Sequence, residues 1–174
     1  MRTLTLLGLV MGLLVMAAAV VHEEPLAGPA TNLSSVDEDG QNEEAAVVSA
    51  VERLFEAMRT SDGELAASVF HADARLGRAG DQGIRFSEMA GFVERIGQPK
   101  EEVWDEPIWD WDVQVDGRLA QMWTRYAFYL DGVFSHCGID AIQLYRSDEG
   151  GWQITQLVDT SRQEDCWLPP GRGD

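Results

Sequence analysis

The stretch "WTRYAFYLDGVFSHCGIDAIQLYR", residues 123–146, has the pattern of two β-strands joined by a tight turn. Both halves are rich in aromatic and β-branched residues, which favour strands. Asp131 and Gly132 stand between them, and Asp-Gly is a strong signal for a two-residue hairpin turn. The stretch therefore predicts an antiparallel hairpin in which Leu130 lies opposite Val133.

An uninterrupted register from that turn assigns every side chain to one of two faces, because side chains alternate along a strand. Arg125 and Asp140 then become diagonal neighbours on the same face, within reach of an ion pair. One face is predicted to carry Trp123, Arg125, Ala127, Tyr129, Phe134, His136, Gly138 and Asp140. The other is predicted to carry Met122, Thr124, Tyr126, Phe128, Cys137, Ile139 and Ala141.

The strand pattern continues on both sides of this hairpin. Residues 103–117, "VWDEPIWDWDVQVDG", alternate in character and end on a second Asp-Gly turn. Residues 152–161, "WQITQLVDTS", form a last strand after a looser turn, so the face that carries Asp159 stays open. The sequence predicts a four-stranded antiparallel meander.

Helical patterns precede the strands. Glu43–Arg59 places apolar residues at steps of three and four, at Val47, Val51, Leu54, Phe55 and Met58. Glu64–Phe70 predicts a second helix, and Glu88–Ile96 a third with Ser87 as its N-cap. The glycine-rich residues 76–83, "LGRAGDQG", predict a flexible loop. Helices followed by strands indicate an α+β domain with the helices packed on one sheet face.

The N-terminal residues differ in character from this domain. Residues 1–19 have an early arginine, an apolar run and small residues at Ala17 and Ala19, which predicts a secretory signal peptide; an uncleaved membrane anchor is the alternative. Residues 20–42 predict a flexible acidic linker. The folded domain is expected at 43–168 and a disordered tail at 169–174. We therefore expect export to the periplasm or the extracellular space.

Charge and motif content exclude several function classes. The formal net charge is −17, with 13 basic residues among 30 acids, which disfavours nucleic-acid binding. The three histidines are far apart in the sequence and no metal-ligand spacing occurs, so no metal site is predicted. No nucleotide-binding or nucleophile motif is present, so no cofactor is expected.

The chain has two cysteines, Cys137 and Cys166, 29 positions apart. Two cysteines of an exported protein usually pair, and the return of the last strand would bring the second near the first. The sequence predicts a disulfide, with two buried or partly buried free thiols as the alternative. His136 is not expected to activate Cys137, because adjacent strand residues point to opposite faces.

The tract from Trp123 to Arg162 carries a family resemblance. The order aromatic-FY-x-DG-x-F-S-H-C-G-x-D-x-x-Q-L, then GGW-x-I, then D-T-x-R and a later cysteine, resembles the group named "putative lumazine-binding proteins". The element order resembles the nuclear transport factor 2-like superfamily, which includes SnoaL-like cyclases, scytalone dehydratase and ketosteroid isomerases. The resemblance implies a cone-shaped fold in which helices and a curved antiparallel sheet enclose an apolar-walled pocket, commonly in a homodimer.

His136 and Asp140 are the candidate catalytic residues, as general acid or base. They lie about 13 Å apart along one strand, so they cannot form a dyad, but each can contact one end of a small ligand. The alternative is structural: Asp140 paired with Arg125, and His136 bonded to a backbone carbonyl. The predicted pocket residues are Trp123, Arg125, Tyr126, His136, Asp140, Gln156 and Asp159.

Three functions are compatible with these residues. The first is a binding protein for a small hydrophobic or aromatic molecule. The second is a cofactor-free enzyme, an isomerase, dehydratase, cyclase or hydrolase. The third is a structural or interaction module whose cone is filled by side chains. One fold hosts all three, so the choice depends on the site.

Overall fold

The computed structural model describes residues 38–172. The predicted signal peptide, the predicted linker up to residue 37 and the last two residues of the predicted tail lie outside this range.

Three helices cover one face of the sheet: α1 (Glu38–Thr60), α2 (Gly63–Val69) and α3 (Met89–Gly97). Helix α1 begins at Glu38 rather than Glu43, so residues 38–42 are helical and not linker. Its predicted apolar stripe is buried. The side chain of Asp62 caps α2 by accepting from the Leu65 amide at 2.9 Å. The predicted cap at Ser87 is wrong, because Glu88 occupies the N-cap position of α3 and makes no side-chain cap bond.

The described residues form one seven-stranded sheet, in the order β2-β1-β7-β6-β5-β3 with β4 also paired to β5. The sheet is mixed rather than wholly antiparallel, because β1 runs parallel to β7. The predicted glycine-rich loop is wrong: it forms the end of β1 and the turn into β2. The strands are β1 (Phe70–Gly80), β2 (Gly83–Ser87), β3 (Trp104–Asp105), β4 (Ile108–Asp116), β5 (Leu119–Leu130), β6 (Val133–Arg146) and β7 (Trp152–Thr160).

A β-bulge corrects the predicted hairpin register. Leu130 pairs with Val133 as predicted, but Phe128 pairs with His136, so Ser135 is an extra residue in β6. Beyond the bulge, each side chain of β6 shares a sheet face with the β5 residues that the uninterrupted register assigns to the other face. His136 and Asp140 therefore share a face with Thr124, Tyr126 and Phe128, and not with Trp123 and Arg125.

The predicted ion pair between Arg125 and Asp140 is consequently wrong. Arg125 lies on the face away from the helices and donates from Nη1 to Asp110 Oδ2 at 2.7 Å. Its guanidinium also lies over the ring of Trp167, 4.5 Å from the ring centre.

The core lies between the helices and the inner face of the sheet. Helix α1 contributes Val47, Val51 and Leu54, and the sheet contributes Met122 and Ile142, all of them buried. Burial of apolar area at about 25 cal/mol per Å² is the main force that holds the helices on the sheet. The polar residues on this same inner face therefore stand out.

The disulfide joins Cys137 of β6 to Cys166, with the two Cα atoms 5.8 Å apart. It fastens the segment after β7 to the outer face of the sheet, where Cys137 and Arg162 also exchange two backbone hydrogen bonds of 2.9 Å. The predicted disorder of residues 169–174 is wrong for its described part: Pro169 is buried, and Arg172 forms an ion pair of 2.6 Å with Asp105.

No helix in residues 38–172 is long and apolar enough to cross a membrane. Within the same residues, no group of three or more histidine, cysteine or acidic side chains is arranged to hold a metal ion.

Candidate functional site

A row of polar residues crosses the inner face of the sheet. Arg85 of β2 lies opposite Arg78 of β1, and Arg78 lies beside Asp159 of β7. Asp159 is in turn paired with Asp140 of β6, and Asp140 with Thr124 of β5. Directly opposite residues on neighbouring strands point to the same side. Four ionisable side chains and one hydroxyl therefore lie side by side beneath the helices.

A cavity of about 310 Å³ lies between this row and the helices. Its volume is at the lower end of the range of about 300–1,000 Å³ for small-molecule sites. The polar lining comes from Arg78, Glu106, Asp140 and Asp159, with Arg85 and Arg95 also contributing. The apolar walls include Leu54, Phe55, Met58, Leu76, Phe92 and Leu157.

Arg78 and Asp159 form a two-pronged ion pair. Arg78 Nε donates to Asp159 Oδ1 and Oδ2 at 2.9 and 3.0 Å, and its Nη2 donates to Oδ2 as well. The hydrogen bonds to Asp159 raise the pKa of Arg78, so the guanidinium stays charged. This pair cancels one charge of each sign within the cavity.

Asp140 differs from Asp159 because it has no cation of its own. It is 2% exposed, and its Oδ2 atom is fully buried without a hydrogen-bond partner in the described part of the chain. Burial raises its pKa well above the ordinary aspartate value, the charge of Asp159 raises it further, and Arg78 lowers it only in part. The neutral acid is favoured, so Asp140 presents a hydroxyl donor and a carbonyl acceptor to the cavity.

Glu106 is the third carboxyl group of the cavity. It is half-buried in the short connection between β3 and β4. Burial raises its pKa well above the ordinary value, and the charges of Asp140 and Asp159 add to that effect. Glu106 also lines a second, more open hollow of about 410 Å³ beside α1. The smaller cavity is the candidate site, because it combines apolar walls with Asp140, whose Oδ2 atom has no hydrogen-bond partner among the described residues.

Tyr126 and His136 flank this cluster without lining the cavity. The Tyr126 hydroxyl donates to the carbonyl oxygen of Thr160 at 2.7 Å, and burial raises its pKa. The ring of His136 packs against Tyr126 and Phe128, with centroid distances of 5.7 and 5.1 Å. Burial, aided by the charge of Arg78, lowers the pKa of His136, and the residue lines a separate open hollow with residues 161–164.

The structure brings two of the seven predicted pocket residues, Asp140 and Asp159, into the cavity. Tyr126 and His136 lie beside them. The other three predicted residues do not line this cavity: Trp123 and Arg125 lie on the outer face, where Trp123 is 57% exposed. Gln156 also lies outside the cavity, because it alternates with Leu157, which lines it.

Sequence reasoning missed Arg78 and Glu106. Arg78 lies in a glycine-rich stretch whose composition is typical of a loop rather than a strand. The available signal was that Leu76 and Arg78 are two positions apart, the spacing that puts two side chains on the same face of a strand. Glu106 precedes Pro107 in a short connection that has no periodicity to place it. Both reach the cavity through contacts between distant parts of the chain.

The cavity has the parts needed for acid–base chemistry and for binding, but not for holding a metal. Two carboxyl groups with raised pKa values are candidates for a proton donor and a proton acceptor. The three carboxyls cannot all act as anionic ligands, because one is already engaged by Arg78. The apolar walls favour a small organic molecule.

Comparison with known proteins supports the fold. No protein-family model and no curated protein sequence matches the chain. A protein of unknown function from Mycobacterium tuberculosis matches in structure with a TM-score of 0.62 at 18% identity, over 76% of this chain and 79% of that chain.

Two further solved structures are similar. A "Putative Scytalone Dehydratase" from Novosphingobium aromaticivorans has a TM-score of 0.60 at 12% identity, over 78% of this chain and 97% of that chain. A nuclear transport factor 2-like protein of unknown function from Silicibacter pomeroyi has a TM-score of 0.55 at 18% identity, over 71% and 98%. At such identities the likeness shows the fold alone, and the predicted fold is confirmed.

Proposed function

The chain has the nuclear transport factor 2-like fold, and we propose that its cavity binds a small, largely apolar molecule that carries at least one polar group. The observation behind this proposal is Asp140: a buried carboxyl at an apolar cavity, with an oxygen that no described residue engages. An unpartnered buried polar atom costs about 1–3 kcal/mol, and a ligand hydroxyl or carbonyl would recover that cost.

Binding can be tested with N-phenyl-1-naphthylamine, a neutral probe whose fluorescence rises in apolar sites. We expect saturable binding to the wild-type protein. Leu157→Trp, which places a larger side chain at the cavity wall, should abolish binding. Val133→Trp is the matched control, because Val133 is 70% exposed at a turn remote from the cavity, and it should bind like the wild type. No saturable signal from the folded wild type would refute the proposal.

A second candidate function is cofactor-free acid–base catalysis, such as dehydration. It is favoured by the pair of carboxyl groups, Glu106 and Asp140, whose pKa values are both raised, in Glu106 partly by the charge of Asp140. One group would take a proton from the carbon beside a carbonyl, and the other would protonate a departing hydroxyl, releasing water. Two similar structures are named "putative" dehydratases, including one from Streptomyces avermitilis with 15% identity.

Catalysis can be separated from binding with 2-tetralone in D₂O. An active base accelerates deuterium exchange at the carbons beside the carbonyl, which proton NMR follows directly. We expect Asp140→Asn and Glu106→Gln to lower the exchange rate while the neutral probe still binds. Exchange no faster than in buffer would remove this candidate and leave the binding proposal standing.

Homodimer formation is also proposed. An apolar row crosses the outer sheet face, from Trp123 through Ala141, Val158 and Gly77 to Phe86. Light scattering during size exclusion should give twice the chain mass, and Trp123→Glu should give the monomer mass while Val133→Glu should not. A monomeric wild type would refute the proposal.

Export is proposed on the residue 1–19 pattern together with the disulfide, because disulfides persist in oxidising compartments. Fractionation of the native host with N-terminal sequencing tests both export and cleavage. Recovery in the reducing cytosol would contradict export.

A further inference from the structure

Two arginines at the cavity have no anionic partner among the residues that the structure describes. Arg85 lies opposite Arg78 on the inner face of the β1–β2 hairpin, and Arg95 reaches the same cavity from α3. Within residues 40–172, neither makes an ion pair or a side-chain hydrogen bond, whereas Arg78 is held by Asp159. Like charges placed directly opposite on neighbouring strands are destabilising, and an anion beside Arg85 would relieve that repulsion.

The cavity is richer in basic groups than the chain as a whole, because three arginines and three carboxyl groups line it whereas the chain has 13 basic residues and 30 acids. Arg78 and Asp159 cancel, and the raised pKa values of Asp140 and Glu106 favour their neutral acids. Arg85 and Arg95 remain, in a chain whose formal net charge is −17. A basic cavity with apolar walls focuses its field on an entering anion. The net negative charge of the chain repels multiply charged anions more strongly than singly charged ones.

We infer that the ligand is an amphiphilic monocarboxylate, whose carboxylate binds Arg85 and Arg95 and whose apolar body extends to a polar end at Asp140. This inference rests on the proposed binding function. A guanidinium presents a planar fork of donors that matches a carboxylate. Arg85 and Asp140 are three strands apart, or about 14 Å at about 4.8 Å per strand. Both residues line the cavity, and we use a two-ring acid as the test ligand.

The test compares two ligands of the same shape, 2-naphthoate and 2-naphthamide, by isothermal titration calorimetry. A charge-assisted contact should favour 2-naphthoate by about tenfold in the wild-type protein. The preference should shrink as NaCl is raised, because these arginines are exposed. The double variant Arg85→Gln/Arg95→Gln should bind the two ligands equally.

The matched control is Arg118→Gln. Arg118 is an exposed arginine that forms an ion pair with Asp148 and does not line the cavity, so its variant should keep the preference. Equal binding of both ligands to the wild type, or a preference that survives the double variant, would overturn the inference. If 2-naphthamide and the neutral probe bind while 2-naphthoate is not preferred, only this inference fails. If none of the three binds, the proposed function fails with it.

Discussion

Asp140 and Asp159 face each other on neighbouring strands of the sheet, on the side covered by the helices. Two adjacent buried carboxylates cannot both ionise without strong repulsion. Arg78 donates hydrogen bonds to Asp159 and not to Asp140, so its positive charge stabilises the ionised form of Asp159. The pKa of Asp140 is therefore raised by burial and by the charge of Asp159, and both proposed functions use this buried carboxyl group.

The first prediction concerns stability against pH. Because the pKa of Asp140 is raised on folding, the folded protein holds a proton that the unfolded chain releases above the ordinary value of 3.8. This group therefore stabilises most below that pH, and its contribution falls as pH rises through the raised pKa. Asp140→Asn cannot ionise, so it should be more stable than the wild type near neutral pH, by about 1.4 kcal/mol for each unit of raised pKa.

Urea unfolding between pH 4 and pH 8 measures this difference, which should vanish at the acidic end. The raised pKa of Glu106 acts in the same direction. The unfolding free energy of the variant should therefore depend on pH less steeply than that of the wild type, but the dependence should not disappear. Asp148→Asn is the control, because Asp148 is exposed and its change should stay within about 0.5 kcal/mol. Parallel pH profiles for Asp140→Asn and the wild type would contradict the prediction.

The second prediction uses the two charges beside Asp140. Asp159 raises the pKa of Asp140 and Arg78 lowers it, after the larger effect of burial. Asp159→Asn should therefore lower the pKa of Asp140, and Arg78→Gln should raise it further. Carbon-13 NMR of the Asp140 carboxyl against pH reports both shifts. Shifts in the same direction for the two variants would show that the charges do not act on Asp140 as described.

Only part of this site could be predicted from the sequence. The hairpin turn, the amphipathic first helix and the choice of Asp140 as a candidate pocket residue follow from local patterns. The partners of Asp140 do not, because the bulge at Ser135 depends on packing and exchanges the two faces beyond it. The assignment of Arg125 as its partner failed for this reason alone.

The remaining cavity residues depend on long-range contacts. Arg78 meets Asp159 only because β1 pairs in parallel with β7, and a parallel pair between distant strands has no short sequence signal. The helices, by contrast, carry their own periodicity, so α1, α2 and α3 were located to within a few residues of their bounds. The fold class follows from local sequence patterns, whereas the set of side chains that line the cavity depends on how distant strands pair.

The third prediction concerns the disulfide. A crosslink between Cys137 and Cys166 closes a loop with a sequence separation of 29 and should contribute about 3–4 kcal/mol on the loop-entropy model. The Cys137→Ala/Cys166→Ala variant should lose this amount in urea unfolding. Reductant should lower the wild-type midpoint and leave the variant unchanged. A wild-type midpoint that does not respond to complete reduction would contradict the prediction.

The fourth prediction concerns Gly138, where β6 approaches the end of β7. A Cβ atom at this position would lie 1.9 Å from the carbonyl oxygen of Thr160 and 2.7 Å from the ring of Tyr126. The carbonyl belongs to the backbone, so Gly138→Ala must shift a strand and break the hydrogen bond from Tyr126. We expect a loss of at least about 1–3 kcal/mol in unfolding free energy.

Gly151→Ala is the matched control, because a Cβ there meets nothing within 4 Å, and it should change stability by less than about 0.5 kcal/mol. Equal stabilities of the two variants would show that the approach at Gly138 can relax without cost.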